Sequence, residues 1–421
     1  MRALFLTYCY PPLRYPRSIQ ISRLVKFLDH PVRVVCAAGR AGEPIDPTIA
    51  GTDERSHDIR RLSEAGWQQL LHRYRDLLLP QYWGIPDANR SWALRAAGTI
   101  LTRKWVEEMD LLVTFGQPMS THLAGFEIKR QTGIPWMAHF SDPWVDNPLD
   151  GSRGMEIWLK RRMEHAVMEQ VDGAVFTSAE TVDLVMAKYP LAWRHKVGVV
   201  PHGFDPDPFP ACTERCPGEP VVLRYLGNFY GNRTPHALFQ ALEHLIRQQP
   251  KCLEGVRVEL YGDFSPTVFA RTGLQSMISR TVTIHRPVTY QKSLELMASA
   301  DLLLVLDAPA QTSVFLPSKL VDYIGSGRPI LGLTPPGAAA SLIQSMGGWV
   351  GPPDNPEQAA KALSQAIAWL QNHHQTLPWG QESVRQRYHA RHVAHQMADL
   401  MLKVTRKEPL LPTGEVQGAE G

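Results

Sequence analysis

Two successive runs of alternating strand and helix signals, separated by a proline-rich break, constrain this chain more than any other feature. In the first run, "RALFLTY", "VRVVCAA", "DLLVTF", "PWMAHF" and "GAVFTS" are short apolar segments. Helix-like stretches such as "SIQISRLVKFL" and "AETVDLVMAKY" stand between and after them, and "KVGVVPHGF" closes the run. The stretch "DPDPFPACTERCPGEP" (205–220) is full of Pro and turn formers and reads as a linker. The alternation then restarts with "VVLRYLG", "VRVELYG", "VTIH", "DLLLVLD", "PILGL" and "GGWVG". Short apolar strands alternating with helices require a parallel sheet covered on both faces. At 421 residues the chain exceeds what one core holds, so two domains are expected. The fold class is therefore α/β, with two Rossmann-like doubly wound halves.

The expected boundaries are an N-terminal domain at 1–204, a linker at 205–220 and a C-terminal domain at 221–382. A long helical stretch follows at 383–406, and a disordered tail at 407–421. Within the second domain, Asn355 caps a helix that has Pro356 at its first position.

Composition matters in three places. The net charge is only +3, yet residues 1–105 hold 16 Lys/Arg against 9 Asp/Glu. A basic N-terminal part attracts an anionic surface or ligand, or is an ordinary solvated face. The five cysteines (Cys9, Cys36, Cys212, Cys216, Cys252) are odd in number and sparse, which implies no disulfide framework. A reducing cytoplasm fits them, and no signal-peptide pattern or apolar stretch of membrane-spanning length is seen. The basic residues form no dense run with interleaved aromatics, so nucleic acid is not an expected partner.

The segment "SEAGWQQLLHRYRDLLLPQYW" (63–83) puts Trp67, Leu70, Leu71, Tyr74, Leu77 and Leu78 on one helical stripe, with His72, Arg73 and Arg75 off it. Core packing accounts for such a stripe. An interfacial helix on an anionic membrane is the alternative.

Ligands of doubly wound sheets bind beyond the carboxyl ends of the strands. In the second half those ends bring Gly227, Gly231 and Arg233, then Asp263, then Arg286, then "FLPSKLVDYIGSGRPIL" (315–331). Pro317 suits a helix start, where free N–H groups and the helix dipole favour a phosphate. Lys319 adds a full charge at that end, and Asp322 lies three residues on, on the same face. A carboxylate so placed can accept the two hydroxyls of a ribose, and Arg233 can close on a diphosphate from the neighbouring turn. The competing reading is an exposed ion pair worth a few tenths of a kcal/mol. In the first half, His139 and Asp142 follow a strand and point to catalysis. His139 would be a sugar contact or base, and Asp142 a site carboxylate or a helix cap. His122 follows another strand end and is an acceptor-side candidate. No acidic metal cluster is seen, so no metal and no cofactor are expected.

The motifs "YLGNFYGNRTPHAL", "ASADLLLVLD" and "FLPSKLVDYIGSGRPIL" resemble the C-terminal half of the GT-B glycosyltransferases, family 4-like group. "TYCYPP", "GIPWMAHFSDPW" and "VVPHGFDPDPF" resemble their N-terminal half, so the likeness runs over roughly residues 1–405. It implies two Rossmann-like domains facing across a cleft, with a terminal helix crossing back to the first. It implies a retaining glycosyl transfer from a nucleotide diphosphate sugar bound by the second domain to an acceptor hydroxyl bound by the first. By position, Arg233 and Lys319 would hold the diphosphate and Asp322 the ribose, in the place of the second Glu of the E-x7-E element. Gly227, Asp263, Arg286, Phe315, Leu316 and Pro317 complete the nucleotide-sugar contacts. The chain departs from the pattern in four places. The first Glu of that element is Val314, and no lysine follows the arginine, though His236 is near. The first loop "PPLRYPRS" lacks the usual glycines and carries Arg14 and Arg17 on the acceptor side. His139 and Ser141 stand where an acid and an Arg are more usual. With the basic N-terminal region, this points to a lipid-linked or saccharide acceptor at the inner membrane face, as in cell-surface polysaccharide or glycolipid assembly. The alternatives are a nucleotide-sugar epimerase of the same fold and a non-catalytic nucleotide-sugar-binding protein.

Overall fold

The computed structural model describes residues 1–49, 58–63, 85–148, 150–211, 215–216, 218–229, 231–263, 281–372 and 378–410. The stripe at 67–78 lies outside the described residues, as do Cys212 and residues 411–421 of the tail. The chain divides into two compact units. One comprises Met1–Pro201 with Val393–Gly421, and the other His202–His392.

In the first unit the elements run β1 (Ala3–Leu6), α1 (Pro16–Phe27), β2 (Val32–Ala37), β3 (Asp58–Leu62), α2 (Arg90–Thr102), β4 (Leu111–Phe115), α3 (Ser120–Thr132), β5 (Trp136–His139), α4 (Met155–Gln170), β6 (Gly173–Phe176), α5 (Ala179–Met186) and β7 (Val197–Val199). The seven strands form one parallel sheet in the order β3-β2-β1-β4-β5-β6-β7. Strand order reverses between β1 and β4. The central strands are apolar throughout, as burial on both faces demands, and every residue of β4 and β5 is buried. The exception is β3, "DIRRL", whose residues are only partly buried and whose charge hides it from a search for apolar runs. It survives as a strand because it is the edge. Arg33 of β2 donates to Asp58 at 2.6 Å across the pair.

The second unit contains β8 (Val221–Leu226), α6 (His236–Gln248), β9 (Val256–Tyr261), β10 (Val282–His285), α7 (Tyr290–Ala298), β11 (Leu302–Leu306), α8 (Ser318–Ser326), β12 (Ile330–Leu333), α9 (Ala338–Ser345), β13 (Trp349–Gly351), α10 (Pro356–Asn372) and α11 (Glu382–Arg387). Its six-stranded sheet is parallel in the order β10-β9-β8-β11-β12-β13, with the reversal between β8 and β11. Asn355 caps α10 as expected, its Oδ1 accepting from the Gln358 amide at 3.0 Å.

The expected single helix over 383–406 is two helices. α11 ends at Arg387 and α12 (Ala390–Arg406) begins after a break. The cause is a bridge to Phe204. The Phe204 amide donates to Tyr388 O and the Ala390 amide to Phe204 O, both at 2.8 Å. Those bonds take backbone groups that a continuous helix would use. From Val393 onward α12 counts with the first unit, where it packs on two strand glycines. A Cβ on Gly173 of β6 would lie 2.6 Å from Val404, and one on Gly198 of β7 would lie 2.6 Å from Leu400.

Candidate functional site

At the β8/β11 reversal of the second unit, parallel strands deliver their carboxyl ends to one edge. Gly227 follows β8, Asp263 follows β9, Arg286 follows β10 and Asp307 follows β11. Asp263 and Arg286 are exposed there. The Gly227 amide donates to Tyr261 O at 2.9 Å, and its φ of +146° is in the region only glycine adopts freely. A Cβ at this position would stand 2.2 Å from Lys319 Nζ, so the turn needs glycine for space as well. Asn228 Oδ1 accepts from the Asp263 amide at 2.9 Å and ties the β8 and β9 turns together.

Helix α8 begins at Ser318, with Pro317 as the residue that precedes the helix rather than one inside its first turn. Its N-cap residue, Pro317, makes no side-chain cap hydrogen bond. Leu320, Val321, Tyr323 and Ile324 bury its inner face, and Tyr323 Oη accepts from the Leu226 amide at 3.0 Å, which fixes the helix on β8. Gly327 closes it in the left-handed conformation, φ +67°. Ahead of the helix, Leu316 is buried, while Val314 and Phe315 are half-buried.

Lys319 Nζ donates to Tyr225 Oη at 2.8 Å and sits 4.1 Å from the centroid of the same ring, which stacks on Phe229. The stem of Lys319 is partly exposed, but its ammonium is desolvated, and this pushes its pKa down to about 7. The Arg233 charge adds to the depression and Asp307 opposes it. Arg233 is 7% exposed, and its Nε and Nη2 donate to Asp307 Oδ1 at 3.1 and 2.9 Å. Asp322 is 7% exposed, on the same helix as Lys319. The structure thus brings Gly227, Arg233, Lys319, Asp307 and Tyr225 into one cluster.

The sign of the Lys319 shift gives a pH prediction. The ammonium is charged below about pH 7 and neutral above it. Binding of an anion such as inorganic pyrophosphate is expected to weaken as pH rises through 7, by up to about tenfold per pH unit. Calorimetric titration across that range measures it. In folding, the depressed value means the native chain binds fewer protons than the unfolded chain between about 7 and the model-peptide 10.5. The contribution of this group to stability therefore rises with pH through that window.

In the first unit the β1/β4 reversal is organised by Arg17, which is 4% exposed. Its Nε donates to Gly116 O at 3.0 Å, its Nη1 to Gln20 Oε1 at 3.1 Å, and its Nη2 to His139 Nδ1 at 2.8 Å and His139 O at 3.1 Å. The guanidinium also lies 5.4 Å from the Phe115 ring centroid. Burial lowers its pKa to about 10, against the supporting charge of Asp142, so it stays cationic. The expectation that Arg17 meets the acceptor is corrected. Its donors point inward, and it positions α1 against the ends of β4 and β5. Arg14 is the exposed arginine of this loop.

The His139 base role is corrected as well. Arginine only donates, so Nδ1 must supply the lone pair and the ring proton stands on Nε2. His139 is thereby set up as a hydrogen-bond donor. Asp142 accepts from Gln117 Nε2, and residues 141–148 contain no helix, so it is not a helix cap. His122 is fully buried against Phe140 and hydrogen-bonded to Thr114 Oγ1 at 2.8 Å. Desolvation lowers its pKa to about 3, so it is a neutral core residue with no surface to offer an acceptor. A separate open cavity of about 540 Å³ is lined by Asp146, Glu164, Lys188 and Tyr189. Both of its carboxylates, Asp146 and Glu164, pair with Lys188, and Arg161 and His165 also line it. Among the described residues, no group of three or more His, Cys, Asp or Glu is placed to hold a metal ion.

Sequence reasoning missed Tyr225 and Asp307. Tyr225 reads as a core aromatic of a strand, and only the packing puts its hydroxyl under Lys319. Asp307 ends the run "DLLLVLD", where a carboxylate at a strand's carboxyl end was the available signal.

Residues 20–203 match the family described as glycosyl transferase 4-like domain. No curated protein matches the sequence. Among solved structures, the chain is similar to HepE of Anabaena in complex with UDP and glucose, at TM-score 0.64 and 16% identity over 96% of this chain and 100% of that one. It is also similar to sucrose-phosphate synthase of Thermosynechococcus elongatus, at TM-score 0.66 and 14% identity over 96% and 99%. A third is WaaG, a glycosyltransferase involved in lipopolysaccharide biosynthesis, at TM-score 0.55 and 16% identity over 96% and 98%. Two parallel sheets with helices, and a fold shared over nearly the whole chain with these structures, give this protein the GT-B fold, with a match to the glycosyl transferase 4-like domain over residues 20–203.

Proposed function

We propose that this protein is a glycosyltransferase that takes its sugar from a nucleoside diphosphate sugar held at the carboxyl edge of the second sheet and passes it to an acceptor hydroxyl. The observation that carries the reading is the pair of desolvated cations, Arg233 and Lys319, beside the N-terminus of α8 at the β8/β11 reversal. A departing nucleoside diphosphate gains negative charge as the glycosidic bond breaks. Preorganised cations in a low-dielectric site stabilise that charge without reorganising. Asp322 is assigned the ribose hydroxyls, Gly227 the close approach of backbone to phosphate, and Asp263 and Arg286 the outer part of the nucleotide. Phe315, Leu316 and Pro317 shape the entry to α8. In the first unit, His139 is assigned as a donor to a substrate hydroxyl and Asp142 as an acceptor-side carboxylate.

HepE was solved with UDP and with UDP-glucose, which makes UDP the first nucleotide to try. Thermal shift with UDP, GDP, ADP and their sugars is expected to show stabilisation by one nucleotide family, about 2.7 kcal/mol at a hundredfold excess over Kd. Asp322→Ala is expected to weaken it. Stabilisation by none of them overturns the donor-site assignment. Product formation that requires an added acceptor separates transfer from epimerisation, and the anomeric configuration of the product tests retention.

A polysaccharide or glycolipid acceptor at a membrane surface completes the proposal, supported by the basic N-terminal region. No helix among the described residues is long and apolar enough to cross a membrane. Cosedimentation with anionic liposomes at low salt is the expected result, and failure to sediment counts against the membrane part alone.

A further inference from the structure

The donor-site reading leaves one buried charge without a task. Asp307 is 6% exposed and stands at the end of β11, where strand order reverses. Its Oδ1 accepts from Arg233 Nε and Nη2, and from the Ala308 amide at 2.9 Å. Its Oδ2 accepts from Ser313 Oγ at 3.3 Å. The carboxylate is thus immobilised by two groups other than the arginine. The guanidinium is gripped along one edge, which fixes the plane in which its remaining donors lie.

We propose that Asp307 is a positioning residue, the shared counter-ion of Arg233 and Lys319, which sets where the guanidinium stands and how much positive charge an incoming diphosphate meets. The inference rests on the donor-site reading above. Its contact with Arg233 is direct. With Lys319 it acts through space, and the groups shown to act on that ammonium come from three places. Tyr225 Oη comes from β8, Arg233 from the turn before α6, and Asp307 from the end of β11. Arg233 disfavours the Lys319 charge and Asp307 favours it. A site with two adjacent cations and no carboxylate would drive one of them neutral. The Asp307 carboxylate, bonded to Arg233, opposes that depression, so that Lys319 is charged below about pH 7, and it limits the grip on the released nucleoside diphosphate.

Asp307→Asn tests this, because the amide oxygen can still accept from Arg233 and from the Ala308 amide while the charge is gone. Asp307→Ala removes both. The probes are inorganic pyrophosphate, which is indifferent to the base, and UDP, titrated calorimetrically from pH 5.5 to 8.5. In Asp307→Asn the pH at which affinity begins to fall is expected about one pH unit below that of the wild type. The displacement is expected to vanish when Lys319→Ala is added. At pH 5.5, Asp307→Ala is expected to bind about tenfold more weakly than Asp307→Asn, because Arg233 is released. Equal losses in both variants at every pH, with an unmoved profile, would make Asp307 merely structural and overturn the proposal. A wild type that binds neither probe overturns the donor-site reading and this inference with it. A wild type that binds, with a profile that Asp307→Asn leaves in place, overturns this inference alone.

Discussion

Lys319→Ala is expected to lower kcat/KM for sugar transfer by about 10²–10³-fold, the range seen when one preorganised charge-stabilising donor is removed. The loss should fall mainly in kcat, because the ammonium matters most when the diphosphate leaves. Folding should hardly change. The ammonium is desolvated, and among the described residues its direct partner is the Tyr225 hydroxyl. Asp307 keeps its bonds from Arg233, so its charge stays paired when the ammonium is removed. A melting temperature within a few degrees of the wild type, together with the kinetic loss, is the expected pair of results. Unchanged steady-state kinetics would remove Lys319 from the site.

Arg17→Ala should behave in the opposite way. Three acceptors lose their donor at once, Gly116 O, Gln20 Oε1 and His139 Nδ1, while His139 O keeps the Gly116 amide. Leaving buried acceptors unsatisfied costs about 1–3 kcal/mol each when nothing relaxes, and partial relaxation brings the total to on the order of 3–5 kcal/mol. For a unit of this size that is a fall of roughly 8–15 °C in melting temperature. Arg17→Lys should recover little, because one ammonium cannot span the acceptors that a planar fork reaches. Differential scanning calorimetry resolves the outcome, and a transition within about 2 °C of the wild type would refute the network role. The variant also frees His139 Nδ1, so loss of activity at a temperature where the variant remains folded would show that the ring's proton placement matters.

The sequence made one sheet edge legible because the physics there is local. A strand's carboxyl end, a proline before a helix, a lysine in its first turn and a carboxylate one turn later can all be read from neighbouring positions. Arg233 joined them only by analogy of strand ends, and its actual partner was not foreseen. Asp307 and Arg233 are 74 positions apart, and only the adjacency of β8 and β11 brings them together. His139 and Arg17 are 122 apart, and read alone each is an ordinary polar residue after a strand. The same limit explains why His122 and Arg17 were taken for surface groups. Position relative to a strand end is in the sequence, but whether the side chain turns outward or into the core is set by what packs against it. β3 was missed for the converse reason, since an edge strand can be charged and still pair.

By itself, then, the sequence determined the alternation of strands and helices, the two-part division and the chemistry of the α8 start. These depend on residue type at short spacing: apolar runs for buried strands, a prolyl start, glycines at the closing turn. The tertiary structure decided the ionisation of Lys319, the grip of Asp307 on Arg233 and the proton position on His139. Each of these is an electrostatic property, and it depends on which distant charges and dipoles share a desolvated space.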